Sequence, residues 1–293
     1  MIGQIFSANT RRRHAYLALR PVYNHSLLEW LLSYHSGKRT HAADVACGPG
    51  TFTIDLAHEF DHVTGVDPSL SMIESARSNA YETQISNIEY KQGSGECLPI
   101  ASGTVDLMAV MQGAHWFKFD DFLSEVQRVL RPGGTLALVG YCCPEIASWP
   151  ESMKGRDFAR VLAMDQHLLG RYWDSGVTLI DELYAPLMDK ISANTGFVAA
   201  EHLKFPKDIQ PESSSRVETL PGSWIDSKSM TLDGFRDHLK TWSAYKAWKD
   251  KHPSDADIVD KYFGQQLCVL GKTGSEVVEI EWPHFAIVAR KAL

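Results

Sequence analysis

Between His41 and Gly140, short apolar runs alternate with stretches in which apolar residues return every three or four positions. The runs His41–Cys47, Val63–Asp67, Ile88–Gln92, Val105–Met111 and Thr135–Tyr141 predict strands, while Thr51–Glu59, Ser69–Ala80 and Phe119–Leu130 predict helices. Strand and helix in regular alternation mean a parallel sheet with helices on its faces, an α/β doubly wound fold. Local signals mark the boundaries. Ser71 with Glu74 offers a capping box, and Pro132-Gly133-Gly134 stops the helix that carries Phe122, Val126, Val129 and Leu130.

After Cys143 this rhythm fails. Glu145–Lys204 reads as helical and aromatic, with Trp149, Phe158, Tyr172, Trp173 and Tyr184, and the Pro/Ser-rich stretch Phe205–Ser223 reads as a loop. Helical spacing returns at Leu232, Phe235, Leu239, Trp242 and Tyr245. It returns again from a Ser254/Asp257 box through Ile258, Tyr262 and Leu267. Glu276–Trp282 and His284–Arg290 are strand-like runs meeting at Pro283, which predicts an antiparallel hairpin closing the sheet. The expected organisation is a helical segment over 1–40, a ligand-binding core over 41–141, a helical and loop insertion serving as a lid over 142–230, and closing helices with the strand hairpin over 231–293.

Composition narrows the classes. The chain has 293 residues, 44% of them hydrophobic and 22% charged, which is the ordinary globular range. The net charge of −7 argues against nucleic acid as a main partner. No apolar run approaches the ~18 residues of a membrane helix, so a cytoplasmic protein with no membrane partner is expected. The five cysteines form no C-x-x-C pair, so neither a zinc site nor a disulfide framework is expected. No acid precedes Glu29 whereas Arg11, Arg12, Arg13 and Arg20 do; this is read as a basic first helix, with a targeting role left open.

The sharpest chemical signal is Asp44-Val45-Ala46-Cys47-Gly48-Pro49-Gly50-Thr51, where the first strand gives way to the first helix of the alternating region. A glycine-rich turn there lets a ligand lie against bare backbone. Asp67, at the end of the second strand, offers a carboxylate to both hydroxyls of a ribose, as a dinucleotide or S-adenosylmethionine would require. The dinucleotide fingerprint G-x-G-x-x-G counted from Gly48 needs glycine at position 53, where Thr53 stands.

Four more landmarks follow in order: Val66-Asp67-Pro68-Ser69, Gly93-Ser94-Gly95-Glu96-Cys97-Leu98-Pro99, Gln112-Gly113-Ala114-His115-Trp116-Phe117 and Leu130-Arg131-Pro132-Gly133-Gly134. Together with the glycine turn they resemble the class I S-adenosylmethionine-dependent methyltransferases over about residues 14–141 and the two closing strands. Within that class, Tyr16, Arg20-Pro21, Tyr23, Ala114–Phe117 and Thr241–Tyr245 resemble the small-molecule branch typified by fungal trans-aconitate and cantharidin-detoxifying methyltransferases. The chain departs from the wider family at Ala46, where glycine is common.

The resemblance implies a seven-stranded, mostly parallel sheet of order 3-2-1-4-5-7-6 and S-adenosylmethionine as cofactor. It also implies that Asp44, Ala46, Gly48 and Gly50 flank the methionine part. Asp67, followed by Pro68, would hold the ribose, Met72 would pack on adenine, Ser94, Glu96 and Cys97 would lie at its edge, and Gln112 would line the floor. Tyr16, Arg20, Tyr23, His115, Trp116, Trp224 and Trp242 are the candidate substrate contacts, with His115 positioning the acceptor or serving as a base. The expected reaction is O-methylation of a small carboxylic acid to its methyl ester. The alternatives are methylation of carbon, phenol or nitrogen in a secondary metabolite, a protein that keeps the cofactor without transferring methyl, and a nicotinamide-dependent oxidoreductase. No metal is expected, and oligomeric state is not readable.

Overall fold

The computed structural model describes residues 20–149, 155–205, 218–220 and 222–293. The expectations for Arg11–Arg13 and Tyr16 lie outside the described residues. The chain divides into two compact units.

The larger unit comprises Tyr23–Cys142, Thr178–Trp224 and His284–Leu293. Its strands are β1 (His41–Val45), β2 (His62–Asp67), β3 (Ile88–Gln92), β4 (Val105–Met111), β5 (Leu130–Tyr141), β7 (Phe197–Phe205), β8 (Glu218–Thr219) and β11 (His284–Lys291). The strands β6 (Glu145–Ile146), β9 (Lys228–Thr231) and β10 (Val277–Glu281) belong to the other unit. Those of the larger unit form one eight-stranded sheet of order β3-β2-β1-β4-β5-β11-β7-β8. All neighbours run parallel except β11, which is antiparallel to both β5 and β7.

Alternate residues of the central strands feed two separate cores. Ala43, Val45, Met108, Val110, Leu136 and Leu138 face one side, while Ala42, Leu107, Ala109, Ala137 and Val139 face the other. The first side is covered by helices over Phe119–Val129 and Ala185–Ala193, and the second by helices over His25–Tyr34 and Thr51–Ala57. A strand buried on both faces has no polar alternation, which is why these strands read as continuous apolar runs. The helix Leu70–Glu82 adds a smaller cluster in which Ile73, Ala76 and Ala80 meet Tyr90 of β3.

The sheet corrects two expectations. It has eight strands, not the seven of the expected order, because Glu218–Thr219, in the stretch read as a loop, adds a two-residue edge beside Leu203 and Lys204. The closing hairpin does not form. His284–Val288 and Ala289 are buried, so this strand needs neighbours on both sides and lies between β5 and β7. Val277–Glu281 buries only Val278 and Ile280, the one-sided alternation of a sheet with a wet face, and it pairs elsewhere.

Phe197–Phe205, read as helical, is a strand with an irregular burial pattern and a register shift opposite Val288 and Arg290. Such a shift breaks the period of two on which strand recognition depends. The expected capping boxes are also replaced. Ser69, not Ser71, caps its helix by accepting from the Met72 amide, and Asp257 itself caps the helix Ile258–Leu270.

The smaller unit contains the described residues up to Val22, Cys143–Val177 and Ile225–Pro283. Here β10 pairs antiparallel with β6 and β9. The helices Gly155–Met164, Leu232–Leu239, Ser243–Lys251 and Ile258–Leu270 belong to this unit, where Phe158 packs edge-on against Phe263 at 4.9 Å. Among the described residues, no helix is long and apolar enough to cross a membrane.

Candidate active site

Parallel registry delivers the motifs to one edge of the sheet. Asp44 of β1 lies beside Gly65 of β2 and Ala109 of β4, Asp67 lies beside Gln92 of β3, and Met111 beside Val139 of β5. The loops that follow these strands therefore emerge side by side. In open α/β sheets this carboxyl-end edge is where ligands bind.

The glycine turn is held in an unusual conformation. Ala46, Gly48 and Gly50 all have positive φ, at 59°, 53° and 78°. A Cβ at Gly48 would meet nothing within 4 Å, leaving open space against the backbone. Gly50 is different, since a Cβ there would strike Ala76 at 2.9 Å and the Tyr90 ring.

Two carboxylates anchor the turn from opposite sides. Asp67 accepts from the Gly48 amide at 2.9 Å and from the Ser69 amide at 2.8 Å, tying the end of β2 to the turn. Asp44 is fully buried, and its Oδ2 accepts from the Thr53 hydroxyl at 2.6 Å. Its Oδ1 is buried with no partner. Burial pushes the Asp44 carboxyl up to about 7, with the nearby negative charge of Asp67 adding to the effect against the Thr53 hydrogen bond. Thr53 registers in the sequence only as a missing glycine, yet its hydroxyl is the partner of this acid.

The other expected residues differ in how they are engaged. Pro68 is exposed and Met72 half-buried in the first turn of its helix. Ser94 and Cys97 bridge one loop, Cys97 is exposed, and Glu96 accepts from the Lys118 amide at 2.9 Å at the start of the helix Phe119–Val129. Burial raises the Glu96 carboxyl, but hydrogen bonds from the Lys118 amide, its own amide and the Ser94 hydroxyl outweigh this and leave it below its ordinary value. Gln112, with φ of 55°, bonds through both halves of its amide to the Tyr141 backbone, at 2.6 and 3.0 Å, and so clamps β4 to β5.

His115 lies in a single 3-10 turn, Ala114–Trp116, where it is buried while Trp116 is 49% exposed. Its Nδ1 is 2.7 Å from the hydroxyl of Tyr184, and burial lowers its pKa to about 4. The sequence pattern does not single out Tyr184 as a site residue. It sits fully buried at φ of 60° before the helix Ala185–Ala193, in a segment with no motif. Tyr23 packs edge-on against Phe52 at 6.3 Å, and its hydroxyl is buried without a partner. Burial raises its pKa, and the groups that act on it next are Tyr141, Tyr184 and Asp44, so the hydroxyl faces this edge.

Three further candidates have their own partners. Trp224 is a core residue, its ring tilted against Trp30 at 4.3 Å. Arg20 and Trp242 belong to the smaller unit, where Arg20 donates to the Thr241 carbonyl at 2.9 Å and Trp242 packs on Trp173 at 5.6 Å. A cleft of about 540 Å³ opens at the opposite, amino ends of β1, β4 and β5, lined by His35, Lys38, Asp106 and Arg131. Of its polar side chains, His35 meets Thr135 at 2.9 Å and Asp106 accepts from Arg131 at 2.8 Å. Among the described residues no three His, Cys, Asp or Glu side chains converge as a metal site.

The methyltransferase domain family matches residues 42–134, the segment that builds this edge. CRG1 of Saccharomyces cerevisiae, a probable S-adenosylmethionine-dependent methyltransferase, is 26% identical over 282 residues, covering 94% of both chains. The chain is a methyltransferase that depends on S-adenosylmethionine, with a domain of that kind over residues 42–134. A methyltransferase-type protein of Dictyostelium discoideum is 27% identical to it over 94% of the chain and 92% of the relative. The fold of this methyltransferase is shared with a protein assigned as a type II methyltransferase in Anaeromyxobacter dehalogenans. The TM-score is 0.64 at 24% identity, covering 92% of the methyltransferase and 97% of the other chain.

Proposed function

We propose that the methyl acceptor is a small organic acid and that the product is its methyl ester. The observation that carries this reading is the state of His115, a buried neutral imidazole whose Nδ1 is already bonded to Tyr184. A base that takes a proton from a phenol or a carbon acid works best with a pKa near the working pH. Burial moves His115 well below that, and moves Tyr23 and Tyr184 above it. A carboxylic acid, with an ordinary pKa of about 4, is ionised at neutral pH and needs no base.

The residues present fit the cofactor. The unpartnered, buried Oδ1 of Asp44 suits a cationic amine, and the open backbone at Gly48 leaves room for a ligand. We assign Asp44, Ala46, Gly48 and Gly50 to the methionine end and Asp67 to the ribose. Met72, Glu96 and Cys97 take the adenine side and Gln112 the floor, with Pro68 and Ser94 completing the set. S-adenosylmethionine, when bound, supplies a sulfonium methyl group as electrophile. The protein's part is to hold an acceptor oxygen in line with it and keep water out, which accounts for several kcal/mol or more of barrier lowering. Tyr23, His115 and Trp116 are the acceptor contacts in this assignment.

The test is the response of the chemical step to pH and to His115→Gln. Single-turnover rates at saturating acceptor are expected to lack a histidine-like rise between about pH 5.5 and 7.5. His115→Gln should cost less than the ~10²-fold at the lower end of general-base catalysis. A loss of ~10³-fold, with disappearance of a wild-type inflection near pH 6.5, would favour base-assisted methylation instead.

A further inference from the structure

Tyr184 and His115 come from segments 69 residues apart, and their contact carries more information than a packing pair. The phenol is fully buried and held edge-on by Phe285 at 4.8 Å. A hydroxyl so buried must deliver its own proton to an acceptor, because a buried unsatisfied donor is costly. The acceptor within reach is Nδ1 of His115, at 2.7 Å. A neutral imidazole that accepts at Nδ1 carries its proton on Nε2. Among the described residues His115 makes no hydrogen bond through Nε2.

We propose that Tyr184 is a positioning residue that locks His115 as a neutral Nε2–H donor, so that His115 binds an anionic oxygen of the methyl acceptor and does not remove a proton from it. This rests on the carboxylate reading above. In the reaction the acceptor oxygen forms a bond to the methyl carbon as the sulfur–carbon bond breaks. The bonding pair returns to sulfur, which becomes a neutral thioether. No proton moves, so a fixed donor is the suitable partner and a base has no task. A donor at Nε2 selects for an oxygen that is already negative, which makes the Tyr184–His115 pair a specificity device.

The experiment is nitrogen-15 NMR of histidine-labelled protein with S-adenosylhomocysteine, the His115 signal being identified by its loss in His115→Gln. The expected result is a protonated Nε2 and an unprotonated, hydrogen-bonded Nδ1 from pH 5.5 to 8. Tyr184→Phe should turn this into a tautomer mixture and raise KM for an acidic acceptor by about tenfold or more, the size of a lost hydrogen bond to a charged group, with kcat changed less. Affinity for S-adenosylhomocysteine should stay unchanged. If Tyr184→Phe does not fold, 3-fluorotyrosine incorporation serves instead, since a more acidic phenol should shift the Nδ1 signal. A proton on Nδ1 in the wild type, or a His115 signal indifferent to either change at Tyr184, overturns the proposal. The NMR result is independent of where methyl is transferred, so a correct tautomer with a labelled phenol or carbon product would remove the carboxylate reading alone.

Discussion

The methyl group of Ala46 occupies the space that a side chain at Gly113 would need: a Cβ added at Gly113 would come within 2.6 Å of it. The loops after β1 and β4 are thus fitted to each other by one small residue and one absent side chain. Ala46 meets this fit in a left-handed conformation, φ of 59°, which costs a non-glycine residue roughly 1–2 kcal/mol.

The pair predicts a measurable coupling. Gly113→Ala should destabilise the fold by about 1–3 kcal/mol through overpacking. Ala46→Gly relieves backbone strain but frees the unfolded chain, so alone it should change stability little. Combined, the two should be less damaging than their sum by at least ~1 kcal/mol in denaturant unfolding. Strict additivity would mean that the loops adjust independently.

Asp67 holds both the turn and, by assignment, the ribose. Its two oxygens already accept from the Gly48 and Ser69 amides, so Asp67→Asn must present an N–H₂ group to a donor. Hydrogen bonds to a charged group are worth about 1.5–3 kcal/mol. Calorimetry should show affinity for S-adenosylhomocysteine falling at least tenfold, with a lower melting temperature. Unchanged affinity would remove the ribose assignment.

Cofactor binding should depend on pH through Asp44. Its carboxyl is raised to about 7 by burial, so below that value the free protein carries a proton there. A cationic amine beside Oδ1 favours the ionised form, and binding then releases the proton. Affinity for S-adenosylhomocysteine is expected to climb as pH rises through about 7 and then level off. In Asp44→Asn the climb should disappear; a wild-type profile that is flat from pH 5.5 to 8 would contradict the assignment.

Stability should fall on mild acidification. Burial lowers the pKa values of His35, His41, His115 and His202 from the ordinary 6.5, so the folded protein keeps these rings neutral where the unfolded chain takes up protons. Stability contributed in this way is present above pH 6.5 and is lost as pH falls below it. Asp44 and Asp55, whose pKa values burial raises, oppose the trend but are two groups against four. Melting temperature should therefore drop between pH 6.5 and 5, and less so in His115→Gln.

What is legible in the sequence follows from burial. Strands β1, β4 and β5 lie between two cores, and their apolar runs, with Gly48 to Gly50 after the first and Asp67 closing β2, make this edge of the sheet legible from the order of residues alone. His284–Lys291 is equally visible as a strand, but its place is not. Pro283 joins it in sequence to Val277–Glu281, and only long-range pairing with Phe197–Phe205 decides that the two separate. Phe197–Phe205 itself is hidden by its register shift. In the site, side chains that act by being buried beside a motif residue leave no local trace. Thr53 looks like a defect in a glycine pattern, and Tyr184 like one aromatic among several, although their hydroxyls meet Asp44 and His115 across the fold.

The central claim is that this methyltransferase esterifies a small organic acid. Incubating the protein with a metabolite extract and S-adenosylmethionine carrying a deuterated methyl group, followed by mass spectrometry with fragmentation, tests it most directly. The account predicts a labelled methyl ester of a small carboxylic acid, formed in step with S-adenosylhomocysteine and releasing labelled methanol on mild alkaline hydrolysis. Label held on carbon, nitrogen or a phenolic oxygen and stable to alkali would contradict it.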